Sequence, residues 1–387
     1  MLDPERLAAL AATCLRSDDV GRTVRDVRLR YIDYLPARRL SVRAVAVLDG
    51  PTTDAADDAR DLVATTDTEQ PEPALHWYPD DPGLPALAAG PDAIVVAALG
   101  DKEPRQWARR WTGQWARKLA REWQRLAWVP ARRAVLGSDD LVVKYHRSAA
   151  DAVAAFERTH DAALAVPTAD ALHLDVEHAA VVAARIQGRT LERGDALRRV
   201  GEVADVLAHL HGTRLNRLAA DRLPERGVDD LLSACVHVVG LVTFARPDLA
   251  RRVDRIVARL AAHAPVGVAK VMTHGDLNVG QLIERTDGSL VVVDTDTLAA
   301  DAPAIDVAAF ATNLISGRAG DLDAAFEVTD ALVRARGERP EALDWYLAAC
   351  VLRRLDRPLR RVKSRWPERV ERTLEALETF TAAVAAD

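Results

Sequence analysis

Asp276, Gln281 and Asp294 are the residues whose types and spacing best suit chemistry. Asp276 closes a His274-Gly275-Asp276 stretch after the apolar run 268–272. Gln281 stands five residues later, and Asp294 ends a second apolar run, 290–293, beyond a tight turn at Asp287-Gly288-Ser289. Two carboxylates and an amide at the ends of two short strands suit phosphoryl transfer to an alcohol. That reaction needs little covalent help from a protein; it needs placed metal ions, neutralised phosphates and an acceptor for the hydroxyl proton. In this arrangement Asp276 orients the substrate hydroxyl and takes its proton, Gln281 offers its amide oxygen to magnesium, and Asp294 bridges the metal to the phosphates. Lys144, after the strand-like Leu141-Val142-Val143, neutralises the α- and β-phosphates of ATP, with Glu157 on the next helix holding its ammonium.

Each residue also has a plainer reading. A lone His-Gly-Asp is more often a turn than a site, a helix glutamate such as Glu157 is usually solvated, and a strand lysine commonly snorkels to water. The weight lies in the combination and, for Lys144, in rarity. Five of the 52 basic residues are lysine (Lys102, Lys118, Lys144, Lys270 and Lys363) and the rest are arginine. Asp296 shares a face with Asp294 if the strand continues. It is then either a further metal-side residue or a solvated turn carboxylate.

The elements that must position these residues change character along the chain. Residues 1–100 read as a short helix at 4–15, strands at 24–31, 40–48 and 93–99, and a Pro/Asp-rich connection at 71–91. Trp107, Trp111, Trp115, Leu119 and Trp123 recur every fourth position, the stripe of a helix packed under a small sheet. A hairpin follows at 132–136 and 141–146 around Gly137-Ser138-Asp139-Asp140. Next come a helix capped by Ser148 or Asp151 and broken at Val166-Pro167, and a strand at 179–184. Beyond that the periodicity predicts helices at 200–210, 229–243, 247–262, 304–314, 321–336, 340–353 and 367–385. The basic run 353–365 reads as a solvated helix face, the alternative being a patch for a phosphate or an acidic carrier. Trp345, Tyr346 and Trp366 read as core packing rather than sugar stacking.

Composition narrows the partners. At 387 residues, 49% apolar and 28% charged, the chain exceeds one ordinary core and has a globular profile. A net charge of -6 gives no global attraction to nucleic acid or to anionic lipid. Cys14, Cys235 and Cys350 form no disulfide framework, zinc spacing or redox motif. The N-terminus lacks the order of a secretion signal, and the best continuous apolar run, 93–99, is too short to span a bilayer. The expected location is the cytoplasm, with no membrane or nucleic-acid partner.

These motifs together resemble the aminoglycoside phosphotransferase-like kinases, a branch of the protein-kinase-like fold, over about residues 105–387. His274-Gly275-Asp276 is similar to that family's catalytic loop, Asp294 to its metal-binding aspartate, and Lys144 with Glu157 to its nucleotide-side ion pair. Asp306 resembles the aspartate that buttresses the catalytic loop, and the same resemblance gives His274 a supporting role. Leu207-Ala208-His209-Leu210-His211 resembles a family helix ending, and Gln187-Gly188-Arg189-Thr190-Leu191 the segment just past the interlobe hinge. The resemblance implies a bilobal α+β fold with a β-rich N-lobe and a mainly helical C-lobe, ATP and Mg2+ as cofactors, and a small-molecule hydroxyl acceptor. The expected divisions are an N-terminal cap at 1–103, a nucleotide-binding N-lobe at 104–184, and a C-lobe at 185–387 with the catalytic loop and acceptor site.

The departures carry information too. Gln281 stands where the family usually has asparagine, but the actinobacterial maltokinase-like branch has a glutamine after glycine, as in Gly280-Gln281. That tilts the expected acceptor toward a sugar or amino sugar, and the long region before Lys144 is similar in placement to that branch's cap. Asp294-Thr295-Asp296 differs from the aromatic-containing form usual in the family, and no Gly-rich phosphate-covering loop precedes Lys144. Two rivals follow. One is a pseudokinase that binds without catalysis. The other is an antibiotic-modifying phosphotransferase, whose cationic substrate needs an acidic cleft from residues such as Asp301, Asp321, Asp323 and Glu327.

Overall fold

Among the described residues, those before residue 185 are mostly antiparallel strands, several of them with alternating apolar positions. The computed structural model describes residues 23–35, 39–49, 59–67, 74–77, 123–129, 133–213, 222–315 and 322–384. Strands β1 (Thr23–Leu35), β2 (Arg39–Asp49), β3 (Ala59–Asp67) and β4 (Ala74–Trp77) form one antiparallel meander in that order. β4 lies inside 71–91, where prolines and aspartates predict a connection; its four residues pair with β3 from Leu62↔Trp77 to Thr65↔Ala74. A short edge strand next to prolines is permitted because only one side of it must pair. The expected helices at 4–15 and 104–123 and the strand at 93–99 lie outside the described residues.

A second sheet holds β5 (Gln124–Val129), β6 (Arg133–Gly137), β7 (Leu141–His146), β8 (Ala171–Asp175) and β9 (Ala180–Ala184), in the order β5-β6-β7-β9-β8. The β6–β7 hairpin is closed by Ser138, whose hydroxyl accepts from the Leu141 amide at 3.2 Å. Strands β5 and β8 have no clear period-two pattern, which is why the sequence did not show them. Helix α1 (Ala149–Ala163) starts at the expected cap, the Ser148 hydroxyl accepting from the Asp151 amide at 3.2 Å.

By its internal packing the chain divides into two units, 1–153 with 172–183 and 360–363, and 154–171 with 184–359 and 364–387. The second unit is mainly helical: α2 (Arg193–Arg198), α3 (Val200–Gly212), α4 (Val228–Ala245), α5 (Ala250–Ala262), α6 (Ala304–Ile315), α7 (Leu322–Arg336), α8 (Leu343–Leu352), α9 (Arg357–Arg360) and α10 (Trp366–Val384). Helix α8 has no polar face beyond Asp344, so it has to be enclosed. It packs against α4, α6 and α10, and Leu343 and every residue from Trp345 to Leu352 is buried. Trp345 belongs to this core, its indole N–H donating to the Leu260 carbonyl at 2.9 Å and its ring meeting Tyr346 edge-on at 5.1 Å. Helix α4 is long and apolar enough to cross a bilayer, with 18 residues at mean hydropathy 1.6. Here it instead buries Leu231, Cys235, Val238, Leu241 and Val242 and packs on α5 and α8.

Short strands of this unit frame the chemistry. β11 (Val271–Thr273) pairs antiparallel with β14 (Ala299–Asp301), closing the excursion 274–298 at its base. Within it β12 (Leu282–Glu284) and β13 (Leu290–Val292) form a hairpin, flanked by β10 (Arg189–Thr190). The hairpin turns at Gly288, whose φ of 83° is one that L side chains rarely adopt.

Candidate active site

Thr273 ends β11 and the chain must then turn sharply, which Gly275 allows with a φ of 80°. A β-carbon there would lie 2.9 Å from the Thr297 carbonyl oxygen, so glycine is required by both conformation and space. The turn is fixed from beneath by Asp306, in the first turn of α6. Its carboxylate accepts from the amides of His274 at 2.9 Å and Gly275 at 2.7 Å. It also bonds His211 Nε2 at 3.0 Å, while His211 Nδ1 lies 2.8 Å from Arg336 Nη1. A guanidinium can only donate, so Nδ1 accepts and Nε2 carries the proton given to Asp306. Asp306 is fully buried; burial opposes its charge, but the hydrogen bonds from His211 and the Gly275 amide hold its carboxyl below the usual 3.8. Thr297 adds a bond from its hydroxyl to the His274 carbonyl at 2.7 Å. His274 is buried, with Nε2 3.3 Å from the Val293 carbonyl and Nδ1 without a partner among the described residues.

Asp276 follows at the open side of this loop, its side chain 37% exposed. Arg354 Nη2 donates to its Oδ1 at 2.8 Å and Arg353 Nη2 lies 3.5 Å from the same oxygen. Neither contact is foreseen by reading 353–365 as a solvated face. The signal was present in α8: a helix enclosed on all sides delivers the residues that follow it into the interior, so Arg353 and Arg354 emerge beside Asp276. Arg354 is itself 7% exposed. Two further residues at this loop were not singled out by spacing: His211, which bonds Asp306, and Arg226, whose Nη1 lies 3.3 Å from where a β-carbon on Gly275 would sit.

Asn278 shapes the rest of the loop into a one-turn 3-10 helix, Val279–Gln281, its side chain accepting from the Gly280 amide at 3.0 Å. Gln281 is buried; its Oε1 accepts from the Asn278 amide at 2.9 Å and its Nε2 donates to Asp294 Oδ2 at 3.3 Å. Gln281 and Asp294 are thus neighbours, joined through the amide nitrogen while the amide oxygen serves the loop. That oxygen keeps a second lone pair. An amide and a carboxylate side by side are hard oxygen donors of the kind that magnesium takes in ones and twos alongside phosphate and water, so the donor set fits the ion.

Asp296 departs from its premise. The strand stops at Val292, Asp294 is left-handed at φ 63°, and Thr295–Thr297 is a 3-10 turn, so Asp294 and Asp296 do not share a strand face. Asp296 instead offers its backbone carbonyl to Arg158 Nη1 at 2.6 Å. Lys144 lies on β7 in the first unit, half-buried between buried Val143 and Tyr145; Glu157 is exposed on α1 in the second. Of the acidic residues that would line a cationic cleft, Asp323 and Glu327 are exposed on α7 and Asp321 lies outside the described residues. Asp301 is buried and bonded to the Ala302 amide at 2.7 Å.

Comparison with known proteins completes the picture. Residues 121–346, more than half of the chain, match the family described as APH, the phosphotransferase enzyme family. A comparison with curated proteins gave no match. Among solved structures, a choline/ethanolamine kinase family protein from Mesorhizobium loti is 15% identical, with 76% of this chain and 100% of that one covered at a TM-score of 0.49. Choline kinase LicA from Streptococcus pneumoniae is also 15% identical, covering 71% and 100% at 0.49. Aminoglycoside phosphotransferase APH(3'')-Id from Streptomyces rimosus is 18% identical, covering 64% and 98% at 0.47. On the extent of its family match, the chain belongs to the phosphotransferase enzyme family and is a small-molecule kinase acting on a hydroxyl acceptor.

Proposed function

We propose that this kinase transfers the γ-phosphoryl group of ATP to a hydroxyl of a sugar or amino-sugar-like molecule, with Asp276 as the base. The observation that carries the reading is the half-exposed Asp276 carboxylate on a loop whose backbone is tied to buried Asp306. Rigid support beneath and an open carboxylate above are what orienting an alcohol requires. The acceptor oxygen bonds to the γ-phosphorus, the bond from phosphorus to the β,γ-bridging oxygen breaks, the hydroxyl proton passes to Asp276, and ADP leaves. Gln281 and Asp294 are the residues that would hold Mg2+, which when bound neutralises the phosphate oxygens. Lys144 and Glu157 are assigned to the nucleotide phosphates on the sequence reading alone. Gln281 in the usual asparagine position, as in the maltokinase-like branch, supports a sugar acceptor.

The test is ATP consumption over a panel of sugars, amino sugars and aminoglycosides with wild type and Asp276→Asn. Turnover of a sugar that vanishes in Asp276→Asn supports the reading; wild-type turnover in that variant removes Asp276 as the base. The pseudokinase reading predicts no ADP release with any acceptor.

A further inference from the structure

Four guanidiniums gather around the loop that carries Asp276. Arg354 and Arg353 reach the Asp276 carboxylate at 2.8 and 3.5 Å. Nη1 of Arg226 lies 3.3 Å from where a β-carbon on Gly275 would sit, one residue from Asp276. Arg158 Nη1 is bonded to the Asp296 carbonyl, next to Thr297, which holds the His274 carbonyl. Among the described residues, neither Arg158 nor Arg226 has a carboxylate oxygen within ion-pair distance, and Nε of both Arg158 and Arg354 is buried without a partner. Facing these four cations are Asp276 and buried Asp301, with Asp230 also close enough to act on Arg226. Burial, together with the charges of Arg158 and Arg353, lowers the affinity of Arg226 for its own proton. The group is therefore short of negative charge, and half-buried like charges are costly to assemble unless an anion joins them.

We propose that the acceptor carries an anionic group, a phosphate or a carboxylate, beside the hydroxyl that is phosphorylated, and that Arg226 and Arg353 receive it. This rests on Asp276 being the base of the proposed reaction. A planar guanidinium pairs with either anion through two parallel hydrogen bonds, so the shared chemistry is an oxyanion held next to the reacting hydroxyl. Part of the bond between Arg353 and Asp276 passes to the acceptor, leaving Arg354 to hold the base. A polycationic acceptor would meet the same four charges as repulsion.

The experiment is calorimetric titration of the nucleotide-free full chain at fixed ionic strength with glucose, glucosamine, glucose 6-phosphate, glucosamine 6-phosphate and gluconate. At least one anionic member is expected to bind ten-fold or more tightly than its neutral or cationic counterpart. Arg226→Gln should reduce that ratio about ten-fold and Arg226→Lys should restore part of it. Phosphorylated probes binding without gluconate assign the site to phosphate, and the converse to carboxylate. The proposal is overturned if glucose or glucosamine binds as tightly as every anionic probe, or if Arg226→Gln leaves the ratio unchanged. ADP release with Mg-ATP separates the two readings. Anion preference without release with any acceptor sinks the kinase mechanism alone; release confined to neutral or cationic acceptors sinks the anionic site alone.

Discussion

Asp306 and Asp276 serve the same loop but are held in different ways. Asp306 is sealed in the interior and its partners are two backbone amides and His211, each with one available position. Asp276 is partly open and its partners are the tips of Arg353 and Arg354. Bonds to backbone fix geometry because the backbone cannot swing away. Bonds to long side chains can be exchanged when another ion arrives. The sealed carboxylate is thus built to keep the loop in one shape, and the open one to change partners during a reaction. The contrast is a hypothesis about roles, and each side of it can be broken separately.

The largest expected effect is on activity. Asp276→Asn removes the proposed proton acceptor while keeping an oxygen for Arg354, so kcat should fall by about 10²–10⁴-fold, the range general-base removal usually gives. The melting temperature should move little. A large loss of stability with modest loss of kcat would mean that Asp276 is structural and that the contrast runs the other way.

Asp306→Asn should do the reverse in proportion. An amide can accept on one oxygen only, so one loop amide loses its acceptor in a buried site, and the cost is about 3 kcal/mol. Equilibrium unfolding in urea would read it, with faster amide exchange at His274 and Gly275. Unchanged exchange at those two amides would show that Thr297 and the β11–β14 pairing suffice to hold the turn.

Gly275→Ala probes the same shape through conformation. With φ at 80° and a backbone oxygen 2.9 Å from the new β-carbon, nothing flexible can move aside. A loss of about 2 kcal/mol is expected from the left-handed conformation and the close contact together. If the variant is as stable as wild type, the turn is softer than its hydrogen bonds suggest.

The same contrast explains what could be read from the sequence. Asp276, Asp294 and Asp306 stand out because a His-Gly-Asp turn after an apolar run, the end of a second apolar run and a helix start have local patterns, and the β6–β7 hairpin and the longer helices of the second unit follow from periodicity. Arg353 and Arg354 do not, because a run of arginines looks solvated until the burial of α8 is known. The expected strand face shared by Asp294 and Asp296 fails for a related reason. Whether a three-residue strand continues depends on a left-handed residue, Asp294, that no propensity foretells. What was missed comes from tertiary packing, which overrides local signals over stretches this short.

The smallest effect is the most specific to the sealed side. The Asp306 carboxyl sits below its ordinary 3.8 in the folded protein, because burial, which opposes its charge, is outweighed by hydrogen bonds from His211 and the Gly275 amide. A depressed folded value means that the stabilisation is fully present above the unfolded value of about 4 and is lost as pH falls through the folded one. The difference in urea midpoint between wild type and Asp306→Asn should therefore be flat from about pH 5 to 8 and shrink below about pH 4. The substituted amide cannot titrate, so the shrinkage belongs to the carboxyl of Asp306 itself. A gap that persists unchanged to about pH 2.5 would show that the carboxyl is not depressed in the folded protein, and the seal would not depend on its charge. A gap that closes already near pH 6 would show that a group other than the Asp306 carboxyl controls the loop, and the clean division between a fixed side and an exchangeable side would fail.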